Sequence, residues 1–309
     1  LIIRPLQKTK RLSQLAIFKE RCQFEAEDIL EQYGKELAGY LGEKRLPYFI
    51  DVNTALLHDD LYGLRLEVAQ HHFQMDGLFI FPAFLLITEV KHMNGKLVVN
   101  DANQLIQVKD AIEKVYQHPL QQANLQKAQL HLLLQELGYD PPPIHTLVIF
   151  SHDQAQVNFH HPDMLPIHQL PFRLKELNNQ YTKEIFGKQE RYLLANKLLN
   201  KHQERPLSFI PTMSNVRKGA LCKKCKFNIM RRTYGTWTCT GCGLQNKTAH
   251  ISALKDFAYL FGPRITNKQF RDFLLIDSKY TASRLLRSMN LKVRGQTYKR
   301  QYDLSNFIE

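Results

Sequence analysis

Two carboxylates and an amine stand out in QMDGLFIFPAFLLITEVK, residues 74 to 91: Asp76, then Glu89 with Lys91 two positions on. Side chains alternate faces along a strand, so Glu89 and Lys91 share a face with Leu85 and Ile87. A short strand from Asp76 to Phe81, a tight turn at Pro82 and Ala83, and the apolar strand that follows form an antiparallel pair that can set Asp76 beside Glu89. Paired carboxylates hold a hard divalent cation such as Mg²⁺. Such a cation activates a water and neutralises charge on a phosphodiester, while a lysine orients or helps deprotonate that water. A plainer reading stands beside this one, in which the strand simply ends and its last charges reach water. The spacing Asp-x12-Glu-x-Lys is loose and fits both.

A second set is tighter. Four of the five cysteines fall as Cys222-x2-Cys225-x13-Cys239-x2-Cys242. Two such knuckles match a four-thiolate Zn²⁺ site, each pair on a tight turn and the ion closing the fold. Disulfides in a secreted domain are disfavoured, because residues 1 to 20 carry Arg4, Lys8, Lys10, Arg11 and Lys19 with no apolar core or cleavage site. Cys22 lies in an apolar-patterned helix and reads as a small packing residue. His160, His161 and His168 sit in a polar, proline-bearing stretch and read as surface residues, not metal ligands. Tyr234 and Trp237, between the knuckles, read as the small core of the ribbon in preference to a platform for bases.

The charge is unevenly placed. Of the net +13 over 309 residues, residues 206 to 309 hold 19 Lys and Arg against 5 Asp and Glu, while residues 1 to 205 hold 23 against 24. A tail at +14 that is still patterned for folding is a candidate polyanion binder. With 44% apolar and 23% charged residues, and no apolar run of about 20 residues, the chain reads as a cytoplasmic globular protein without a membrane span.

The elements that must position these groups follow from periodicity. Residues 14 to 42 have helical spacing, with Glu43 at or just past the end. Tyr48 to Leu57 and Arg65 to Phe73 read as strands leading into the hairpin. Asn100 to Tyr116 and Pro119 to Leu137 read as helices, and Ile144 to Ser151 as a buried strand. Strands, helices and a returning strand indicate an α/β fold with a mixed sheet flanked by helices. Phe172 to Tyr181 and Tyr192 to Lys201 are helical in character, and Glu204 to Lys218 reads as a linker. The boundaries expected are 1 to 205 for the first domain, 206 to 248 for a zinc ribbon and 249 to 309 for a basic module.

That last module opens on a helix ended by Gly262 and Pro263, then a capping box at Thr266 and Gln269 starts another. In the next helix, KYTASRLLRSMNL, the apolar Leu285, Leu286 and Met289 turn inward and Lys279, Arg284 and Arg287 outward. VRGQTYKRQYDL follows and reads as the wing of a winged-helix variant, adding Arg294, Lys299 and Arg300 to the basic surface. The polyanion expected is DNA ahead of RNA. A module that only packs on the first domain is the non-binding alternative.

GYLGEK at 39 to 44, QMDGLFI at 74 to 80, TEVKHMNGKL at 88 to 97 and HPLQQANLQKAQLHLLL at 118 to 134 together resemble the NERD (nuclease-related) domain of the PD-(D/E)xK nuclease superfamily, over about residues 20 to 150. The resemblance implies a restriction-endonuclease-like core with a metal site at one sheet edge. By it, Asp76 and Glu89 ligate Mg²⁺ or Mn²⁺ and Lys91 serves the attacking water. Glu43 corresponds to a helical acidic residue that adds a ligand or holds a metal-bound water, and Gln122 to a glutamine that orients Lys91 or a phosphate. Two departures stand out: the turn before the helix is His118-Pro119, and Asp76 is followed by Gly77 where the family commonly has histidine. The function expected is therefore metal-dependent hydrolysis of DNA, read as endonucleolytic, with a homo-oligomer compatible. The competing readings are a non-cleaving DNA-binding regulator or scaffold and a nuclease acting on RNA.

Overall fold

The structure, a computed structural model, describes residues 1–21, 27–52, 56–205, 211–225, 228–296 and 299–308. Cys22, for which a packing role is expected, lies outside the described residues. The chain divides into two compact units, Leu1–Lys8 with Lys35–Glu204, and Thr9–Gly34 with Arg205–Glu309. In chain order the first elements are β1 (Ile2–Arg4), α1 (Lys10–Arg21) and α2 (Glu27–Glu43). Then come α3 (Leu46–Asp51), β2 (Asp59–Val68), β3 (His71–Ile80), β4 (Leu85–Lys91), β5 (Gly95–Val99), β6 (Leu105–Lys109) and β7 (Ile112–Tyr116). The first unit closes with α4 (Pro119–Glu136), β8 (Ile144–Phe150), β9 (Ala155–Val157), β10 (Met164–Pro166), α5 (Leu170–Gln180) and α6 (Lys188–Leu199).

Its main sheet has the order β1-β2-β3-β4-β8-β10. The β2–β3–β4 run is antiparallel, whereas β8 and β10 add in parallel to β4. The sheet is therefore mixed, as the order of patterned segments implies. β4 is central, which is why its residues from Leu85 to Val90 are buried on both faces. Leu85 and Ile87 pack with Leu130, Leu133 and Leu134 of α4 and with α6. Leu86 and Val90 face the opposite core, with Leu46 and Ile50 of α3 and Leu170 and Leu174 of α5. A second, smaller sheet has the order β7-β6-β5-β9.

Three expectations fail here. Tyr48 to Leu57 does not open as a strand: Leu46–Asp51 is a helix, with proline in its first turn and Leu46 and Ile50 buried one helical turn apart, and residues 53–55 lie outside the described residues. The stretch Arg65 to Phe73 is not one strand but straddles a hairpin, because Ala69 and Gln70 both take positive φ (47° and 65°) and reverse the chain. Asn100 to Tyr116 is not helical: Asp110 and Ala111 (φ 51° and 61°) turn β6 back as β7. LIQVK-DA-IEKVY alternates at period two, and non-glycine residues in a primed turn hide the break.

In the second unit β11 (Ala220–Leu221), β12 (Ile229–Thr233), β13 (Thr236–Cys239) and β14 (Gln245–Asn246) form an antiparallel four-stranded sheet in sequence order. Next come α7 (Ala249–Phe261), β15 (Arg264–Thr266), α8 (Asn267–Leu274), α9 (Lys279–Ser288), β16 (Val293–Arg294) and β17 (Gln301–Asp303). The sheet order β15-β17-β16 after helix, strand, helix, helix is the topology of a winged helix. The expected capping box at Thr266 and Gln269 is present. One core runs through the unit, from Trp237 and Met230 of the ribbon to Leu254, Phe257, Phe270 and Leu286 of the helices. α1 belongs to this unit: Arg21, buried, pairs with Asp256 at 2.6 Å and donates to the carbonyls of Arg217 and Gly219.

Candidate active site and nucleic-acid interface

β4 emerges from its two cores at Glu89, and α4 decides what meets it there. The stripe on α4 that packs against Leu85 and Ile87 is Leu130, Leu133 and Leu134. One turn and two turns toward the helix start, the same stripe becomes Gln126 and Gln122. Gln126 Nε2 donates to Glu89 Oε2 at 2.8 Å and to the Gln74 carbonyl at 2.8 Å. Lys91 Nζ donates to Glu89 Oε1 at 2.8 Å and to Gln122 Oε1 at 3.0 Å. Glu89 is buried, so its charge is tolerable only because each oxygen receives a donor. Lys91 keeps partial contact with water.

Asp76 lies on β3 one step past the Gly77↔Thr88 rung, opposite Glu89 in the antiparallel register. Its Oδ2 accepts from the Val90 amide at 2.8 Å. At Gly77, next to Asp76, a Cβ would fall 2.5 Å from Thr88 Oγ1 and 2.7 Å from the Phe79 ring, so a side chain there would have to displace one of them.

The electrostatics of this strand end are those of acids short of cations. Burial, then the Glu89 and Glu43 charges, hold the Asp76 carboxyl well above the usual carboxylate range, against the Val90 amide and Lys91. Glu43, at the end of α2, is pushed up to about 7 by burial and by Glu89 and Glu36, with Arg4 opposing. Asp76, Glu89, Lys91 and Gln122 are thus linked at one strand end, and the Glu43 charge acts on Asp76 and Glu89 without the three carboxylates all closing to within 4.8 Å of one another. Carboxylates that repel one another beside a single lysine are oxygen donors of the kind a hard divalent cation takes. Gln126 Oε1 is buried without a hydrogen-bond donor among the described residues. The sequence reading missed Gln126, although its four-residue spacing from Gln122 places both on one helix face.

The four thiols are a different kind of site. Among the described residues only Cys222, Cys225, Cys239 and Cys242 bring three or more ligand atoms within 4.8 Å of one another. Cys222 and Cys242 sulfurs are 3.8 Å apart, those of Cys225 and Cys239 3.9 Å, and all four cysteines are free. The amide of Cys225 points at Cys222 Sγ (3.5 Å), and those of Gly241 and Cys242 at Cys239 Sγ (3.4 and 3.5 Å). The Cys242 amide, with that of Gly241, draws the Cys239 thiol down to about 6. Tetrahedral thiolate ligation fits Zn²⁺.

Lys279, Arg284, Arg287, Arg294, Lys299 and Arg300 are all exposed, the first three on α9 and the others on or beside the wing strands. Trp237 is core, 1% exposed, as expected; Tyr234 is not, standing fully exposed at the tip of the β12–β13 hairpin. The ribbon's core needs one ring, and the pleat sends Trp237 inward while the turn carries Tyr234 off the sheet.

Residues 38–151 match the family model of the nuclease-related domain, NERD. No curated protein matches the chain. Among solved structures the chain is similar to protein VC1899 from Vibrio cholerae, at 11% identity and a TM-score of 0.25, over 55% of this chain and 41% of that one. The chain therefore spans about two fifths of that protein's length. Among the described residues no helix is long and apolar enough to cross a membrane.

Proposed function

We propose that the chain is a metal-dependent nuclease that hydrolyses phosphodiester bonds in DNA. Residues 206–248, a zinc ribbon, and 249–309, a winged-helix-like module, act in it as binding modules. The observation that carries this reading is the Lys91 ammonium held between Glu89 and Gln122 at a strand end where Asp76 and Glu43 are crowded into retaining protons. Asp76 and Glu89 would hold Mg²⁺ or Mn²⁺, with Glu43 as a further ligand or the holder of a metal-bound water. That cation, when bound, supplies charge neutralisation at the scissile phosphate and a more acidic water.

The protein's own groups do the rest. Lys91, fixed by two acceptors, has a third N–H to direct at the attacking water or a phosphate oxygen. Gln122 keeps that ammonium from collapsing onto Glu89 alone. Gln126 fixes the plane of the Glu89 carboxylate by holding its other oxygen. The exposed Lys and Arg of α9 and the wing neutralise backbone phosphates. Four free thiols suit a reducing, cytoplasmic setting.

The test is cleavage of supercoiled and linear DNA with Mg²⁺ or Mn²⁺ against EDTA, for wild type and the Glu89→Ala, Lys91→Ala double variant, with RNA as a competing substrate. Metal-dependent cutting by wild type alone supports the reading, and product sizes separate endonucleolytic from exonucleolytic action. If neither protein cuts while both bind DNA, the chain is a non-cleaving regulator or scaffold.

A further inference from the structure

The second unit holds a cleft of about 680 Å³ between the ribbon hairpin and the start of α9. Arg231, Arg232, Tyr234 and Gly235 line it from the hairpin, and Asp277, Ser278, Thr281 and Arg284 from the helix. Its charges are not compensated. The Arg232 guanidinium lies over the Trp237 ring at 5.4 Å and one of its nitrogens donates to the Gly235 carbonyl at 3.4 Å. The other, Nη1, is buried with no acceptor among the described residues. Arg284 faces the same cleft and its charge reaches Arg232, helping burial to lower the latter's pKa. Asp277 forms no ion pair with either arginine among the described residues. Two guanidinium groups lining one cleft, neither in an ion pair among the described residues, make a seat for an anion.

Beside it stands Tyr234, fully exposed on a two-residue turn in which both it and Gly235 have positive φ (31° and 87°). Holding a large ring in water on such a turn brings the fold no burial. A base face fits it, and a base face is accessible only where the strand is unpaired. α9 begins at the cleft with Ser278 as its N-cap, so the positive end of the helix also points there.

We infer that this cleft holds a phosphate of single-stranded DNA between Arg232 and Arg284, with the adjoining base stacked on Tyr234, so that the unit takes a duplex carrying a single-stranded tail. This rests on the nucleic-acid reading above and narrows its substrate. The outward face of α9 and the wing follow the duplex, and the strand that leaves the duplex passes over the ribbon tip.

The test is fluorescence anisotropy of the full, zinc-loaded chain without added Mg²⁺, on a blunt duplex and on the same duplex with a thymine tail. Wild type is compared with Tyr234→Ala and Tyr234→Phe, and Trp237 emission checks that the ribbon stays folded. The tail should tighten binding by roughly tenfold, the worth of one or two stacked bases. Tyr234→Ala should lose that gain and leave blunt-duplex affinity unchanged, and Tyr234→Phe should keep it. Equal binding of tailed and blunt duplex by wild type overturns the inference, as does a gain that survives Tyr234→Ala. A chain that ignores blunt duplex but binds the tail through Tyr234 refutes duplex gripping and upholds the cleft. Failure to bind either DNA overturns both.

Discussion

The strand-end carboxylates of the first unit and the thiols of the second are both groups with metal-ligand chemistry, and the protein prepares them in opposite ways. Around Glu89 burial and like charge push Asp76 and Glu43 toward keeping their protons. Around Cys239 backbone amides pull the proton off. The difference lies in where the donors come from. The second knuckle brings its own amides, so the Cys239 thiolate is stabilised by Gly241 and Cys242, next to it in sequence, while the neighbouring thiols and burial push Cys242 the other way. The acids sit on three elements, α2, β3 and β4, and answer to one lysine and, for Glu43, to Arg4, so burial leaves them short of positive charge. A metal on the thiols would be a part of folding; the carboxylates leave a folded scaffold whose site is under electrostatic pressure.

Removing zinc gives the largest contrast. Chelation of Zn²⁺, or Cys239→Ser, should unfold the ribbon. Trp237 is the only tryptophan and lies in the ribbon core, so its emission should shift to that of a water-exposed ring. Far-ultraviolet circular dichroism from the first unit's sheet and helices should persist. If both signals are lost together, the two sites are not prepared separately.

Next in size is Lys91→Ala, which should slow cleavage by about 10²- to 10⁴-fold while leaving DNA affinity within about twofold. Normal cutting by this variant would remove Lys91 from the reaction. Gln122→Ala should cost less, since it only positions Lys91.

Smaller still is a pH effect carried by Glu43. Between about 4.5 and about 7 the folded chain keeps a proton there that the unfolded chain has released, so stability falls as pH rises through that window. Thermal melting without divalent cation should therefore show a lower melting temperature at pH 7.5 than at pH 5.5, reduced in Glu43→Gln. Mg²⁺ should restore part of the loss at the higher pH. A flat profile for wild type would deny the crowding.

The finest measurement is the salt dependence of DNA binding. Lys279→Ala or Arg287→Ala should each lower the slope of log affinity against log salt by about one and weaken binding alike on all sequences. A slope unchanged by both would take α9 off the DNA.

Much of this was legible in advance because it depends on near neighbours in sequence. The alternation of Glu89, Lys91, Leu85 and Ile87 on one face, the cysteine knuckles, the Thr266 cap and the amphipathic pattern of α9 are local facts, and local facts survive folding. What went unread depends on turns and on distant partners. Ala69-Gln70 and Asp110-Ala111 reverse the chain without glycine or proline, so a hairpin passed for one strand and another for a helix. Gln126 was silent because an uncharged amide in a helix carries no signature of its own; only the seating of α4 along β4 brings it to Glu89.

The sequence by itself determined which groups are available: an acidic pair with a lysine, four thiolates and a basic tail. The tertiary structure alone decided which of them must share space. Proximity between α2, β3, β4 and α4 raises the Asp76 and Glu43 pKa values, and the hairpin turn parts Tyr234 from Trp237. Electrostatic coupling and burial depend on distance in space, and spacing along the chain does not encode it beyond a turn or two.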